Sequence, residues 1–199
     1  REDTPQAPTS PYGHTKLTAE QMIAACGTAF GLKAVCLRYF NASGADPEGR
    51  LGERHAPETH LIPLALRAAA GDGELSLFGT DYPTPDGTCI RDYVHVCDLV
   101  EAHLHALRRL ERGGDSLAAN LGTGSGHSVR EVIATVETVT GRRVPVRMAP
   151  RRAGDPPVLV AAGGLALAEL GWSPRYPLLE DMVAHAWAFM RRSGRATGH

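Results

Sequence analysis

The sequence lacks long apolar runs, paired cysteines and net charge, and each absence removes a class of function. The longest apolar stretch, Val158 to Ala168, is interrupted by Gly163 and Gly164 and is too short to span a bilayer. No signal-peptide pattern is present. The formal net charge is -1, so no broad basic surface is implied and nucleic acid is not expected as a partner. The four cysteines, Cys26, Cys36, Cys89 and Cys97, form no C-x-x-C pair. Neither a zinc ribbon nor a redox motif is supported, and free thiols in a reducing cytoplasm are the expectation. The nine histidines show no H-E-x-x-H pattern; the nearest grouping, His103 and His105, alternates on a predicted helix and faces two sides. No metal is expected. There is no internal repeat and no low-complexity tract.

What is there is a chain of 199 residues, 43% hydrophobic, enough for one large or two small domains. Strands and helices alternate along it. The spacing of Met22, Ile23, Cys26 and Phe30 predicts a helix from Tyr12, closed by Gly31. A buried strand over Lys33 to Phe40 follows, then a loop over Asn41 to Glu58. A helix is predicted from His60 to Ala70, with Pro63 in its first turn, where a missing N–H costs little. Short strands are predicted at Leu75–Phe78 and Ile90–Val96, and a helix from Asp98 to Arg112. A strand over Ser116–Leu121 comes next, then a helix over Ser128–Thr140 that opens on a Ser128/Glu131 capping box. A strand at Val144–Met148 and helices at Leu165–Leu170 and Leu178–Arg192 complete the pattern. Such alternation predicts an α/β class.

The first chemical signal is Ser10-Pro11-Tyr12-Gly13-His14-Thr15-Lys16. On a helix, Tyr12 and Lys16 share one face. A phenol is a poor base at neutral pH, and an ammonium one turn away favours the phenolate. The pair is thus a proton-transfer device, although this spacing also occurs by chance on helix surfaces. Context gives it meaning. The helix leads into a strand that continues as LRYFNASG, and GTCIRDYVHV stands about fifty residues on.

These blocks resemble the C-terminal part of the UDP-glucose 4-epimerases, within the extended short-chain dehydrogenase/reductase superfamily. The matching segments, in order, are SPYGHTK, LRYFNASGADP, HLIPLAL, LFGTDYPTPDGTCIRDYVHVCDL, NLGTGSG with SVREV, and PRRAGDP with LGWSP. The long FGTDYPTPDGT–IRDYVHV block is the most specific. The resemblance implies the C-terminal part of a Rossmann-type NAD(P)-binding fold with a smaller α/β substrate-binding domain. It divides the chain into 1–45, the last portion of the Rossmann domain, and 46–199, mainly the UDP-sugar region, with 89–125 returning to the Rossmann sheet.

The resemblance also implies roles. Tyr12 exchanges a proton with the hexose 4-hydroxyl, a 4-keto sugar forms and turns over, and bound NAD is regenerated in each cycle. Lys16 favours the phenolate and bonds the nicotinamide ribose, so both residues also contact the cofactor. Arg91 and Arg152 hold the diphosphate, Asp155 the ribose hydroxyls, and Asn41 reaches the diphosphate from its strand end. Phe78 borders the uracil, Ser76 offers backbone bonds to the base, and Tyr93 shapes the hexose pocket. His60 and Leu61 open a helix whose N–H groups face phosphate. By register from Asp155, Leu159 lies beside the hexose C2 substituent, so the intact enzyme is expected to tolerate N-acetylhexosamines to a degree. Gly122-Thr123-Gly124-Ser125-Gly126 lacks the third glycine of G-x-G-x-x-G and the lysine of a P-loop, so it is not read as a phosphate cradle.

Two parts of the implied machinery, the glycine-rich dinucleotide turn and a serine or threonine that polarises the 4-oxygen, do not occur in these residues. They are expected before Arg1, in a segment on the order of 100–150 residues. The chain alone is then expected to bind NAD poorly, to be inactive, and to expose a sheet edge prone to aggregation. Family analogy gives the intact enzyme as a cytoplasmic homodimer. Two other readings stay open: a related NAD-dependent nucleotide-sugar dehydratase or decarboxylase, and a truncated, non-catalytic nucleotide-sugar-binding chain.

Overall fold

The computed structural model describes residues 1–162 and 164–194; Gly163, one of the glycines that interrupt the apolar stretch, lies outside them. The first helix, α1 (Pro11–Phe30), starts where expected because Ser10 is extended and its hydroxyl accepts the Gly13 N–H at 3.1 Å, with Pro11 preset for the first turn. It stops at Gly31, whose φ of 72° suits a left-handed C-cap.

Among the described residues the strands fall into three sheets. One pairs β1 (Val35–Tyr39) with β5 (Leu117–Leu121) in parallel. A second is centred on β4 (Ile90–His95), which is parallel to β2 (Asn41–Ser43) and β8 (Val158–Leu159) and antiparallel to β6 (Gly126–Ser128). The third pairs β3 (Leu75–Phe78) with β7 (Val146–Ala149) in parallel. The other helices are α2 (Leu61–Ala69), α3 (Val96–Glu111), α4 (Val129–Thr140), α5 (Leu165–Leu170) and α6 (Leu179–Arg192). The long elements match the periodicity in the sequence. The three shortest strands, β2, β6 and β8, do not: Asn41–Ser43 was expected within a loop. Two or three residues carry no readable period, and they become strands only because β4 offers them hydrogen-bonding edges.

Two cores hold these layers. In the first, Ile62 and Leu66 of α2, Val132 and Val136 of α4, and Met182 and Val183 of α6 pack together beneath Leu75 and Tyr93. Each fully buried aliphatic side chain contributes about 1.5–3 kcal/mol. In the second, Val94, Leu99, Ala119, Leu121 and Trp172 pack between β4, β5 and helices α3 and α5. Asp98 locks that side: its backbone carbonyl accepts from Trp172 Nε1 at 2.8 Å, and its carboxylate accepts the N–H groups of Arg175 and Tyr176. Helix α1 buries no residue among those described. It is tied to β1 by Glu20, whose carboxylate accepts a two-pronged bond from Arg38, with Nε at 2.8 Å.

No helix among the described residues is long and apolar enough to cross a membrane.

Candidate active site

The carboxyl end of β1, strand β2, the first part of β4 and the start of α2 open on one cleft of about 410 Å3. Tyr12 borders it from α1 and Asn41 from β2. His60 and Leu61 enter from the first turn of α2, Ser76 and Phe78 from β3, and Arg91 and Tyr93 from β4. Arg152 closes one side from the loop after β7. Nine of the twelve residues singled out in the sequence thus share one wall. Lys16, Asp155 and Leu159 are not on it but touch residues that are. Lys16 Nζ lies 5.1 Å from the centroid of the Tyr12 ring. The Asp155 carboxylate accepts a short bond from Arg91 Nη2. Leu159 is the register partner of Arg91 across β8 and β4.

Each cation here has a defined neighbour. The Arg91 guanidinium bridges the Ile90 carbonyl, at 2.7 Å, and Asp155. Arg152 lies over the Phe78 ring, with its guanidinium carbon 4.0 Å from the centroid. Ser76 is taken by β7, its hydroxyl accepting from Arg147 Nη2 at 2.9 Å. Tyr93 is only 4% exposed, and burial pushes its phenol above the ordinary tyrosine range. It therefore acts here as a neutral wall and not as a base.

Two loops brace the site. In Thr84-Pro85-Asp86-Gly87-Thr88, Asp86 accepts both the backbone N–H and the hydroxyl of Thr88, at 2.8 and 2.7 Å, and also the Ser128 hydroxyl. Burial pushes the Asp86 carboxyl up, but these bonds outweigh it and hold it below the usual range. Gly87 has φ of 79°, and a Cβ there would lie 2.2 Å from the Thr80 carbonyl oxygen, so only glycine fits. The second brace is Asp92, fully buried directly after Arg91. One of its oxygens accepts the Thr123 N–H and hydroxyl, at 2.9 and 2.8 Å. The other accepts the N–H groups of Gly124 and Ala161, at 3.1 and 3.2 Å. The N–H groups that a phosphate cradle would use are thus already engaged, which agrees with reading Gly122–Gly126 as no such cradle.

Sequence reasoning passed over Asp92, since an acid after an arginine shows nothing of four donors brought from residues 123–161. It also passed over the His95–His185 pair and the loop residues Glu53, His55 and Glu58. His95 Nδ1 accepts the Cys97 N–H, so its Nε2 carries the hydrogen and donates to His185 Nδ1 at 2.9 Å.

Residues 1–122 match the model of the NAD dependent epimerase/dehydratase family. The chain belongs to that family. Over 188 residues it is 54% identical to a UDP-glucose 4-epimerase of Halalkalibacterium halodurans, covering 94% of this chain and 56% of that protein. The structure of UDP-glucose 4-epimerase from Brucella ovis in complex with NAD superposes with a TM-score of 0.88 at 54% identity, over 91% of this chain and 56% of that one. The enzyme from Bifidobacterium longum in complex with NAD+ and UDP gives 0.91 at 36% identity, over 98% and 59%. The chain therefore has the mixed α/β fold of part of these epimerases and spans a little over half their length. Its residues fit part of an NAD site of the kind this family carries. Tyr12 and Lys16 present an exposed phenol and ammonium on one helix face, while the glycines at 122–126 are closed to a pyrophosphate by Asp92.

Proposed function

We propose that this chain carries the proton-transfer pair and the nucleotide-sugar clamp of a UDP-glucose 4-epimerase, and that the complete protein interconverts UDP-glucose and UDP-galactose. The observation that carries the reading is the convergence of Tyr12, Asn41, Arg91 and Arg152 on one cleft, with Asp155 and Leu159 paired to Arg91. Residues 1–45 together with 89–125 are assigned to the dinucleotide half, and the rest of 46–199 to the sugar-nucleotide half.

The geometry supports a division of labour. Arg91 and Arg152 supply planar donors for a diphosphate. Asp155 accepts from ribose hydroxyls once the diphosphate has taken its share of Arg91. Asn41 adds a neutral donor at the strand end, and the start of α2, at His60 and Leu61, turns its positive dipole end to the same anion, although the His60 N–H itself is held by Glu58. Phe78 gives a flat surface for the base, with Ser76 beside it. Tyr93 closes the hexose end as an apolar wall. Tyr12 takes the proton of the sugar 4-hydroxyl and returns it, and the Lys16 ammonium stabilises the phenolate formed in between. NAD, held in part by Tyr12 and Lys16, would supply the hydride acceptor and donor for C4. A tight hold on the nucleotide and a loose hold on the sugar let the 4-keto sugar turn within the site.

Leu159, intermediate in size, leaves room for a 2-acetamido group, so modest turnover of UDP-N-acetylhexosamines by the complete protein is part of the proposal. Exposed Met22 and Phe30 on α1, 64% and 83% accessible, support a homodimer packed through this helix. The four free thiols support a cytoplasmic location.

The test is calorimetry of this chain with UDP, and turnover of UDP-galactose by the complete protein. Micromolar-range UDP binding that weakens at least tenfold in Arg91→Ala, together with conversion to UDP-glucose, is expected. UDP binding without any epimerisation by the complete protein would favour the dehydratase or decarboxylase reading. An absence of UDP binding would overturn the clamp.

A further inference from the structure

At the mouth of the cleft, apart from the arginine clamp, four metal-ligating side chains meet. Glu53, His55, Glu58 and His60 each offer one donor atom, and all four atoms lie within 4.8 Å of one another. The segment folds back so that His60 Nδ1 sits 2.5 Å from a Glu53 carboxylate oxygen and 3.1 Å from one of Glu58. His55 Nδ1 lies 3.8 Å from the same Glu58 oxygen. Donors bound at about 2.0–2.2 Å around a tetrahedral zinc ion stand about 3.4 Å apart. The observed separations bracket that value, so small side-chain rotations close the set around one ion.

The electrostatics favour a cation. The Glu58 side chain is only 3% exposed. Its carboxylate accepts the N–H groups of Thr59 and His60, at 2.8 and 2.9 Å. Among the described residues the ion-pair partners of Glu53 and Glu58 are histidines, with no lysine or arginine to neutralise them. Two carboxylates and two imidazole nitrogens form a donor set suited to a divalent ion. Mixed nitrogen and oxygen donors suit zinc and its neighbours, whereas calcium and magnesium prefer oxygen alone.

We propose that Glu53, His55, Glu58 and His60 form a binding site for one divalent transition-metal ion of the zinc class. The sequence hid it because the donors lie in an irregular loop with no helical H-E-x-x-H spacing. The site needs only this chain's own residues and stands whether or not the epimerase reading does. Because His60 sits at the N-cap position of α2, the ion ties residues 53–60 to that helix.

The test is titration of chelator-stripped chain with ZnCl2 by calorimetry at pH 7.5, and with CoCl2 by visible absorption. One ion per chain is expected, with proton release, tetrahedral cobalt bands and no thiolate charge-transfer band. His55→Ala and Glu53→Gln, at side chains 49% and 32% exposed, should keep the native circular dichroism and each weaken binding at least tenfold. Replacement of all four cysteines by serine should leave it unchanged. No saturable binding, unaltered binding in both variants, or a thiolate band would overturn the site. Any of these leaves the cluster as a hydrogen-bonded loop before α2.

Discussion

Asp92→Asn is the sharpest probe of how the site is built. The amide keeps the shape of the carboxylate but only one accepting oxygen. If that oxygen faces Thr123, the new NH2 group confronts the N–H groups of Gly124 and Ala161, now 3.1 and 3.2 Å from an acceptor. If the amide flips, it confronts the Thr123 N–H, while the Thr123 hydroxyl turns to donate to the Ser125 carbonyl and accepts from the amide. Either way at least one N–H is left facing a donor. Gly124 is exposed, so water replaces its lost acceptor, while Ala161 is 4% exposed and stays dry. A buried donor left unpaired costs about 1–3 kcal/mol, and the remaining bonds lose the strength that the charge gave them. We expect a net loss of about 3 kcal/mol. With a urea m-value of about 2 kcal/mol/M, the unfolding midpoint falls by about 1.5 M. Thr123→Val removes one hydroxyl donor and should cost only about 1 kcal/mol. Urea unfolding followed by circular dichroism reads both. A midpoint shift below about 0.3 M for Asp92→Asn, with an unchanged m-value, would refute the claim that this carboxylate organises the Gly122–Gly126 turn.

Ser128→Ala removes the cap of α4, where the Ser128 hydroxyl accepts the Glu131 N–H at 3.1 Å and Glu131 returns a bond to the Ser128 N–H. It also frees Asp86, so the loss should exceed the about 1 kcal/mol of an ordinary cap, as read by urea unfolding. Burial, and then His185, lowers the pKa of His95, against the opposing pull of Asp98 and Asp181. A histidine held neutral in the fold takes its proton only on unfolding, so stability is full above the unfolded value of 6.5 and falls as pH drops through it. His95→Asn keeps an acceptor for the Cys97 N–H and should lose less stability between pH 7.5 and 5.5 than the parent chain. An equal acid loss would show that other groups carry it. Leu159→Tyr in the complete protein should suppress turnover of UDP-N-acetylhexosamines more than tenfold while sparing UDP-glucose, as measured by coupled assay. Equal loss on both would place Leu159 outside the C2 contact.

Some of this protein was written in short-range pattern. Helices α1 and α4 begin and end where Ser10, Gly31, Ser128 and Gly141 say they should, because caps act over three or four residues. The Tyr12–Lys16 pair likewise needs only one helical turn. Single residues such as Arg91 and Arg152 were legible through the motifs around them, but not their neighbours. The pairing of Arg91 with Asp155, and the stacking of Arg152 on Phe78, join residues about seventy positions apart.

The sequence by itself determined the α/β alternation, the helix limits to within about two residues and the candidates for the proposed proton-transfer pair and clamp, because those depend on local periodicity, capping and side-chain chemistry. Only the tertiary structure decided that β2, β6 and β8 are strands, that Asp92 closes the glycine turn, and that Glu53, His55, Glu58 and His60 converge. The reason is physical. A buried carboxylate, a two-residue strand or a ligand cluster is stabilised by partners that the fold brings from elsewhere in the chain, and no local pattern records them.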